Sequence, residues 1–260
     1  MASRVASLPP HAYLGLVWTL VRTDFKSRYH GTVAGFLWAL LKPLAMFVVL
    51  MTVFSFVFAS EARYSLRLII GLFLYEFFAE GTRAGLSSLL SKGYLLTKAR
   101  TPSWIIVAAS ASNAIITTCV FAGVVVLAMT IYGTPPSPRG VALFLYYFVH
   151  YIAIVLGISL AGSALYLRYR DLNQVWEVVT QAGFFLAPVI YPLDILPERV
   201  HAYLYLWPPT PIIQFSRAVL VDGAVPTARA HLCLLAGAAL ILGIGIVIFR
   251  RYGRTAAEHL

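Results

Sequence analysis

The chain has 260 residues, of which 60% are hydrophobic and only 12% charged, with a mean hydropathy of +0.81. That composition excludes an ordinary water-soluble domain and places the chain in a membrane. The formal charge of +10 is not read as a nucleic-acid footprint, because the basic residues gather at the edges of apolar blocks, where anionic headgroups and topology account for them.

The N-terminal stretch MASRVASLPPHAYLGLVWTLVRTDF lacks a compact apolar core followed by a small-residue cleavage site, so the first span itself is expected to direct insertion. Next, HAYLGLVWTLVRTDFKSRY places Leu14, Val17, Val21 and Phe25 on one helical side and Thr19, Arg22 and Lys26 largely on another. Too polar to span and too apolar to dissolve, it predicts an amphipathic helix in the cytoplasmic headgroup layer. The alternative is a plain cytoplasmic extension of the first span. Residues 1–32 are therefore assigned to a cytoplasmic N-terminus with an interface helix, and residues 33–260 to one transmembrane domain.

A span needs about 20 apolar residues. Six segments meet or approach this, at roughly 33–59, 66–91, 103–132, 140–167, 173–191 and 229–249, by that length requirement. The second is interrupted by Glu76, Glu80 and Arg83, whose spacing puts them on one helical face, where they can pair with each other or face protein or water. With the N-terminus inside, twelve lysines and arginines fall on cytoplasmic pieces and six on outer pieces, which predicts six spans with both termini cytoplasmic.

Between the fifth and sixth spans runs LAPVIYPLDILPERVHAYLYLWPPTPIIQFSRAVLVDGAVP, cut by seven prolines into pieces too short to cross. Over about residues 188–226 these pieces predict short re-entrant helices in the outer leaflet, with protein or water covering the broken backbone. An external loop lying flat on the membrane is the competing arrangement.

Several chemistries find no support. There is no phosphate-cradling GxxxxGK[ST] loop, no HExxH, no GxSxG and no pair of Asp-rich magnesium motifs. Cys119 and Cys233 lie in apolar runs without metal-ligand neighbours, and are expected to be small buried thiols. Glu76, Glu80 and Glu177 are the acidic residues expected near membrane depth, where a proton relay competes with simple pairing to Arg83.

The lead RTDFKSRYHGTVAGFLWALLKPL, the segment YLLTKARTPSW, the turn RYRDLNQV, and FFLAPVIYPLDILPE followed by WPPTPIIQFSRAVLVDG together resemble the membrane subunit of a type 2 ABC exporter. The resemblance runs in order along nearly the whole chain and lies within the branch that exports lipid-linked or lipid-anchored polysaccharides, such as O-antigen, capsule or teichoic acid. It implies an all-α integral membrane protein of the bacterial inner membrane: six transmembrane helices, the interface helix and re-entrant outer helices. It further implies a homodimer bound to two copies of a separate ABC ATPase, which holds ATP and Mg, with no cofactor in this chain and no catalytic residue or metal site. Lipid-linked polysaccharide, membrane lipid and, for a capsule system, periplasmic export proteins would be the other partners, and no nucleic acid.

The same resemblance assigns roles to particular residues. Arg22, Lys26, Arg28 and His30 would meet a phosphate or pyrophosphate headgroup. Trp38, Lys42, Phe184, Phe185 and Tyr191 would line the translocation path, the rings sliding over sugar faces. Lys98, Arg100, Arg168, Arg170 and Asp171 would couple to the ATPase, and Pro192, Trp207, Pro208 and Arg217 would form an outer gate. For each group the competing account is bland, namely positive-inside anchoring, lipid-facing packing or basic loops. Two other functions compete: a type 2 exporter of a drug or small lipid-linked glycan, and an intramembrane enzyme acting on polyprenyl phosphates.

Overall fold

The computed structural model of the protein describes residues 10–29, 35–59, 61, 63–97 and 101–253. They form α1 (Pro10–Tyr29), α2 (Leu37–Val57), α3 (Tyr64–Ser91), α4 (Gly93–Thr97), α5 (Ser103–Ile131), α6 (Pro138–Tyr166) and α7 (Leu172–Leu186). A 3-10 turn (Leu193–Ile195), α8 (Glu198–Leu204), α9 (Pro209–Arg217) with a wider π turn (Ala218–Asp222), and α10 (Ala228–Tyr252) complete the order, with no strand among the described residues.

Local sequence explains several boundaries. Ser137 caps α6 by accepting the Gly140 N–H at 3.0 Å, with Pro138 at the first helical position. Thr227 caps α10 in the same way through Ala230. Four helices, α2, α5, α6 and α10, are long and apolar enough to cross a membrane.

The other two expected spans differ from that description. α3 has 28 residues, long enough, but Arg67, Glu76, Glu80 and Arg83 dilute its apolar character. The span expected over 173–191 stops at Leu186, because Ala187 precedes Pro188 and takes an extended conformation, φ −71° and ψ 129°. Its 15 residues rise about 22 Å, less than the roughly 30 Å of the hydrocarbon core.

Among the helices of more than 20 residues, the least apolar is also the most enclosed. α3 contacts α2, α5, α6, α7 and α9, and Leu68, Phe78 and Leu89 are fully buried. Phe73 stacks on Phe121 of α5 at 4.0 Å, and the Tyr151 hydroxyl of α6 donates to the Leu74 carbonyl at 3.0 Å. Its charged residues Arg67, Glu76 and Glu80 are half-buried and Arg83 is exposed, so the helix turns a polar flank outward beside its buried apolar one. α6 and α10 approach closely at their glycines: a Cβ on Gly245 would lie 2.2 Å from the Gly157 carbonyl oxygen. Small residues at such a crossing let two membrane helices touch along their backbones.

α1 packs on α5 with Val21 buried and Thr19, Arg22 and Lys26 exposed, as its amphipathic pattern predicts. Lys92, at the end of α3, pairs with Asp24 of α1 and donates to the Ser110 hydroxyl at 2.5 Å, while Asn113 reaches Asp24 at 3.4 Å. One expectation fails here: Cys119 and Cys233 are both exposed on the helical surface, not buried. An apolar run in a membrane chain faces lipid as readily as protein, so hydropathy alone does not predict burial.

Replacing Gly245 with Leu is expected to wedge α10 off α6, an overpacking cost of about 1–3 kcal/mol. Gly237→Leu, whose Cβ meets nothing within 4 Å, should leave the thermal midpoint of the detergent-solubilised protein nearly unchanged; equal losses would contradict the packing account.

Candidate functional site

α2 buries only Pro43 and Leu50, and α7 only Thr180 and Gly183, so both helices leave most of their surface uncovered. Between them, over α3, lies a cavity of about 560 Å³. Its polar lining is Lys42, Glu76, Arg83 and Gln181, and its walls include Tyr75, Phe184 and Phe185. Lys42 Nζ stands 3.2 Å from Glu76 Oε1, with the lysine side chain 71% exposed. The pair is therefore open to whatever occupies the groove. α2 continues through Pro43, whose missing N–H leaves the Ala39 carbonyl without a helical partner beside this polar site.

α7 is held against α3 by side chains around its few buried positions. The Tyr75 hydroxyl donates to the Thr180 carbonyl, and Trp176 Nε1 donates to Thr82 Oγ1 at 2.9 Å. Gly183 leaves room for the Trp207 ring, since a Cβ there would lie 2.3 Å from Trp207 Cζ2. Phe184 meets Tyr75 edge-on at 5.2 Å, and Phe185 meets Phe184 likewise at 5.5 Å. The groove thus combines charges of both signs, an amide and a phenol with aromatic walls, a set suited to a polar ligand rather than to hydrocarbon.

At the far end of α3 a second polar cluster forms around Arg217, which is only 4% exposed. Its Nε donates to the Arg67 carbonyl at 2.8 Å, Nη1 to the Pro188 carbonyl at 2.6 Å and Nη2 to the Val189 carbonyl at 2.7 Å. Gly71 supplies the space, because a Cβ there would sit 2.3 Å from Arg217 Nη2. Arg67 pairs with Asp222 at 2.7 Å, Arg63 donates to the Val221 carbonyl at 2.5 Å, and the Tyr64 hydroxyl donates to the Ile190 carbonyl at 2.8 Å. Arg63 adopts φ 59°, a left-handed conformation unusual outside glycine, directly before α3.

Residues 15–221 match the family described as ABC-2 type transporter. The chain belongs to that family. This ABC-2 transporter chain is 25% identical over 256 residues to the O-antigen export system permease protein RfbA of Myxococcus xanthus, covering 96% of this chain and 97% of that protein. It is 24% identical over 246 residues to the protein of the same name from Klebsiella pneumoniae, covering 94% and 95%. To the polysialic acid transport protein KpsM of Escherichia coli it is 20% identical over 241 residues, covering 90% and 92%.

In this ABC-2 transporter chain the path residues expected from sequence are partly united. Lys42, Phe184 and Phe185 line the groove, whereas Trp38, exposed near the start of α2, is not among its lining residues. Tyr191 lines the cavity at the Arg217 end, and its hydroxyl donates to the Phe185 carbonyl at 3.0 Å. Arg22 and Lys26 are exposed on α1; the side chain of Arg28, and His30, Lys98 and Arg100, lie outside the described residues. Arg168, Arg170 and Asp171 are exposed in the turn between α6 and α7, Arg168 over the Tyr169 ring at 5.6 Å.

The expected gate residues separate. Pro192 and Arg217 line one cavity, Pro208 borders another against α10, and Trp207 packs edge-on against Phe78 at 5.5 Å. Tyr75, Gln181, Arg67 and Asp222 escaped the sequence reading. Unlike charges in neighbouring segments, Lys42 with Glu76 and Arg67 with Asp222, were the available signal.

Arg217→Lys keeps the charge but not the forked donors. It is expected to cost about 1–3 kcal/mol of unmet carbonyls and to speed amide exchange at residues 188–191, measured by hydrogen–deuterium exchange; unchanged exchange there would refute the clamp.

Proposed function

We propose that this chain is the membrane-spanning half of an exporter that moves a lipid-linked or lipid-anchored polysaccharide across a bacterial inner membrane, using ATP hydrolysed by a separate subunit. The observation that carries this reading is the groove between α2 and α7. It places a Lys42–Glu76 pair, Arg83 and Gln181 on a flank otherwise rich in exposed apolar side chains, including Val49 and Phe185. Lipid is a poor neighbour for such a surface. A second copy of the chain laid over it turns two grooves into one conduit, in which aromatic walls bear on sugar faces and the charges meet the phosphate of a carrier lipid.

The names of the relatives, exporters of O-antigen and of polysialic acid, supply the cargo class. In this arrangement α2, α3, α5, α6, α7 and α10 cross or nearly cross the membrane, and both termini are cytoplasmic. Asp171 and its neighbouring arginines, with α4 and α1, then face two copies of an ATPase that holds ATP and Mg. The exposed Arg22 and Lys26 stand where an anionic headgroup arrives from the inner leaflet. α8 and α9 dip into the outer leaflet, covered by α6 and α10, and the Arg217 cluster closes the outer end. Hydrolysis in the ATPase dimer moves the docked elements, parts α2 and α7 from their partners, and admits the headgroup followed by the chain.

Two measurements test this. In a background with Cys119 and Cys233 replaced by Ser, Phe185→Cys on α7 is expected to cross-link two copies under oxidation, while Val247→Cys on the α10 flank stays monomeric; the reverse pattern would remove the conduit. Co-purification from native membranes is expected to retain an ATPase whose turnover rises with lipid-linked glycan. ATP hydrolysis by this chain alone would overturn the division of labour.

A further inference from the structure

The cavity at the Arg217 end measures about 380 Å³, at the small end of ligand pockets, which run roughly 300–1,000 Å³. We infer that it is a saccharide-binding subsite, which takes a short stretch of the glycan as it leaves the conduit; the inference rests on the polysaccharide reading above. Its polar lining is Arg67, Arg217, Asp194, Asp222 and Gln214. The formal charges of the two arginines and two aspartates cancel.

That balance decides between ligand classes. Arg67 is already paired with Asp222, and the Arg217 guanidinium is engaged by three backbone carbonyls, so neither offers an uncompensated cation to a free anion, which Asp194 would also repel. What remains suits a neutral ligand bearing both donors and acceptors. Carboxylate oxygens of Asp194 accept hydroxyl protons. The Gln214 amide reaches the Pro188 carbonyl only at 3.5 Å, the outer limit of a hydrogen bond, leaving it free to turn toward a hydroxyl. Arg67 Nε is enclosed and has no hydrogen-bond partner among the described residues, a buried donor that a ligand oxygen or water must satisfy.

The apolar side of the cavity fits the other face of a sugar. Tyr205 and Phe215, whose ring centroids stand 6.2 Å apart, both line it, and aromatic faces take the C–H surface of a pyranose. The cavity is also continuous in the chain with the groove: Phe185 lines the groove, Tyr191 lines the cavity, and the Tyr191 hydroxyl donates to the Phe185 carbonyl. A sugar leaving one space meets the other across a single short segment. Weak binding there, repeated unit by unit, would hinder backsliding of the polymer between ATP turnovers.

The test is saturation-transfer NMR on the full chain in lipid nanodiscs, with methyl glycosides of glucose, galactose, mannose, rhamnose and N-acetylglucosamine as probes. Transfer to ring protons of at least one glycoside is expected, falling about fivefold or more in Asp194→Asn and in Gln214→Ala, as loss of one or two hydrogen bonds implies. Val247→Met, at an exposed α10 position that lines neither the cavity nor the groove, should leave the signal unchanged. No transfer from any glycoside, transfer in both cavity variants as strong as in the wild type, or suppression by equimolar inorganic phosphate would overturn the subsite. Glycan-stimulated ATP turnover of the complex separates the two readings: if it persists while the glycosides ignore Asp194 and Gln214, only the subsite falls. If the wild-type complex never responds to lipid-linked glycan, the export reading falls and the subsite with it.

Discussion

A single enclosed guanidinium organises one end of this protein. Arg217 reaches from α9 to the Arg67 carbonyl near the start of α3 and to the chain just after α7, where it satisfies the Pro188 and Val189 carbonyls, which lie outside any helix. Each such carbonyl left bare in a low-dielectric setting would cost about 1–3 kcal/mol, which is why the segment 187–192 can be irregular without being solvent-exposed. The clamp also explains Gly71, the one position on α3 whose side chain must vanish for the Arg217 head to fit. The last turn of the outer helices, the left-handed Arg63 and the Arg67–Asp222 pair then follow as the surrounding stitches.

From that end α3 runs as one continuous helix. It carries Arg67 at the clamp, Glu76 at the groove and leads into Lys92, which holds α1 through Asp24. Every polar site described here is therefore anchored to the same 28-residue helix. In the exporter reading this gives a docked ATPase a stiff path from the interface helix to the groove and the outer clamp, with the two lightly buried helices α2 and α7 as the parts free to move. Helices that bury two residues each have little packing to lose on separating, whereas α3 could not shift without opening the core.

Much of this was legible in the chain because membrane insertion is governed by length and hydropathy. Four spans were found within a few residues of their helices, since twenty apolar residues in lipid have only the helix open to them. The amphipathic face of α1 was legible from Val21 against Arg22 and Lys26. Less legible was burial: the apolar letters of α5 and α10 are buried on one side of each helix and exposed on another, so the two cysteines were misplaced. The polar face of α3 was found, but the partner of Glu76 was not: the sequence left it to pair with Glu80 and Arg83 along its own helix or to face protein or water, and the carboxylate reaches across to Lys42. Spacing along a helix is visible in a sequence, and adjacency between helices is not.

By itself, then, the sequence determined that the chain lives in a membrane, that it is helical, where its apolar spans begin and end, and, through its ordered motifs, to which family it belongs. Those properties depend on local composition and on the chain's own hydrogen-bonding needs in hydrocarbon. Only the tertiary structure decided that α3, with its four charged residues, would stand at the centre, that Lys42 and Glu76 would face each other across a groove with Phe184 and Phe185, and that Arg217 would be a buried clamp. These outcomes arise from contacts between residues 28 to 150 positions apart, whose pairing is set by how the helices pack together and by nothing written in any one of them.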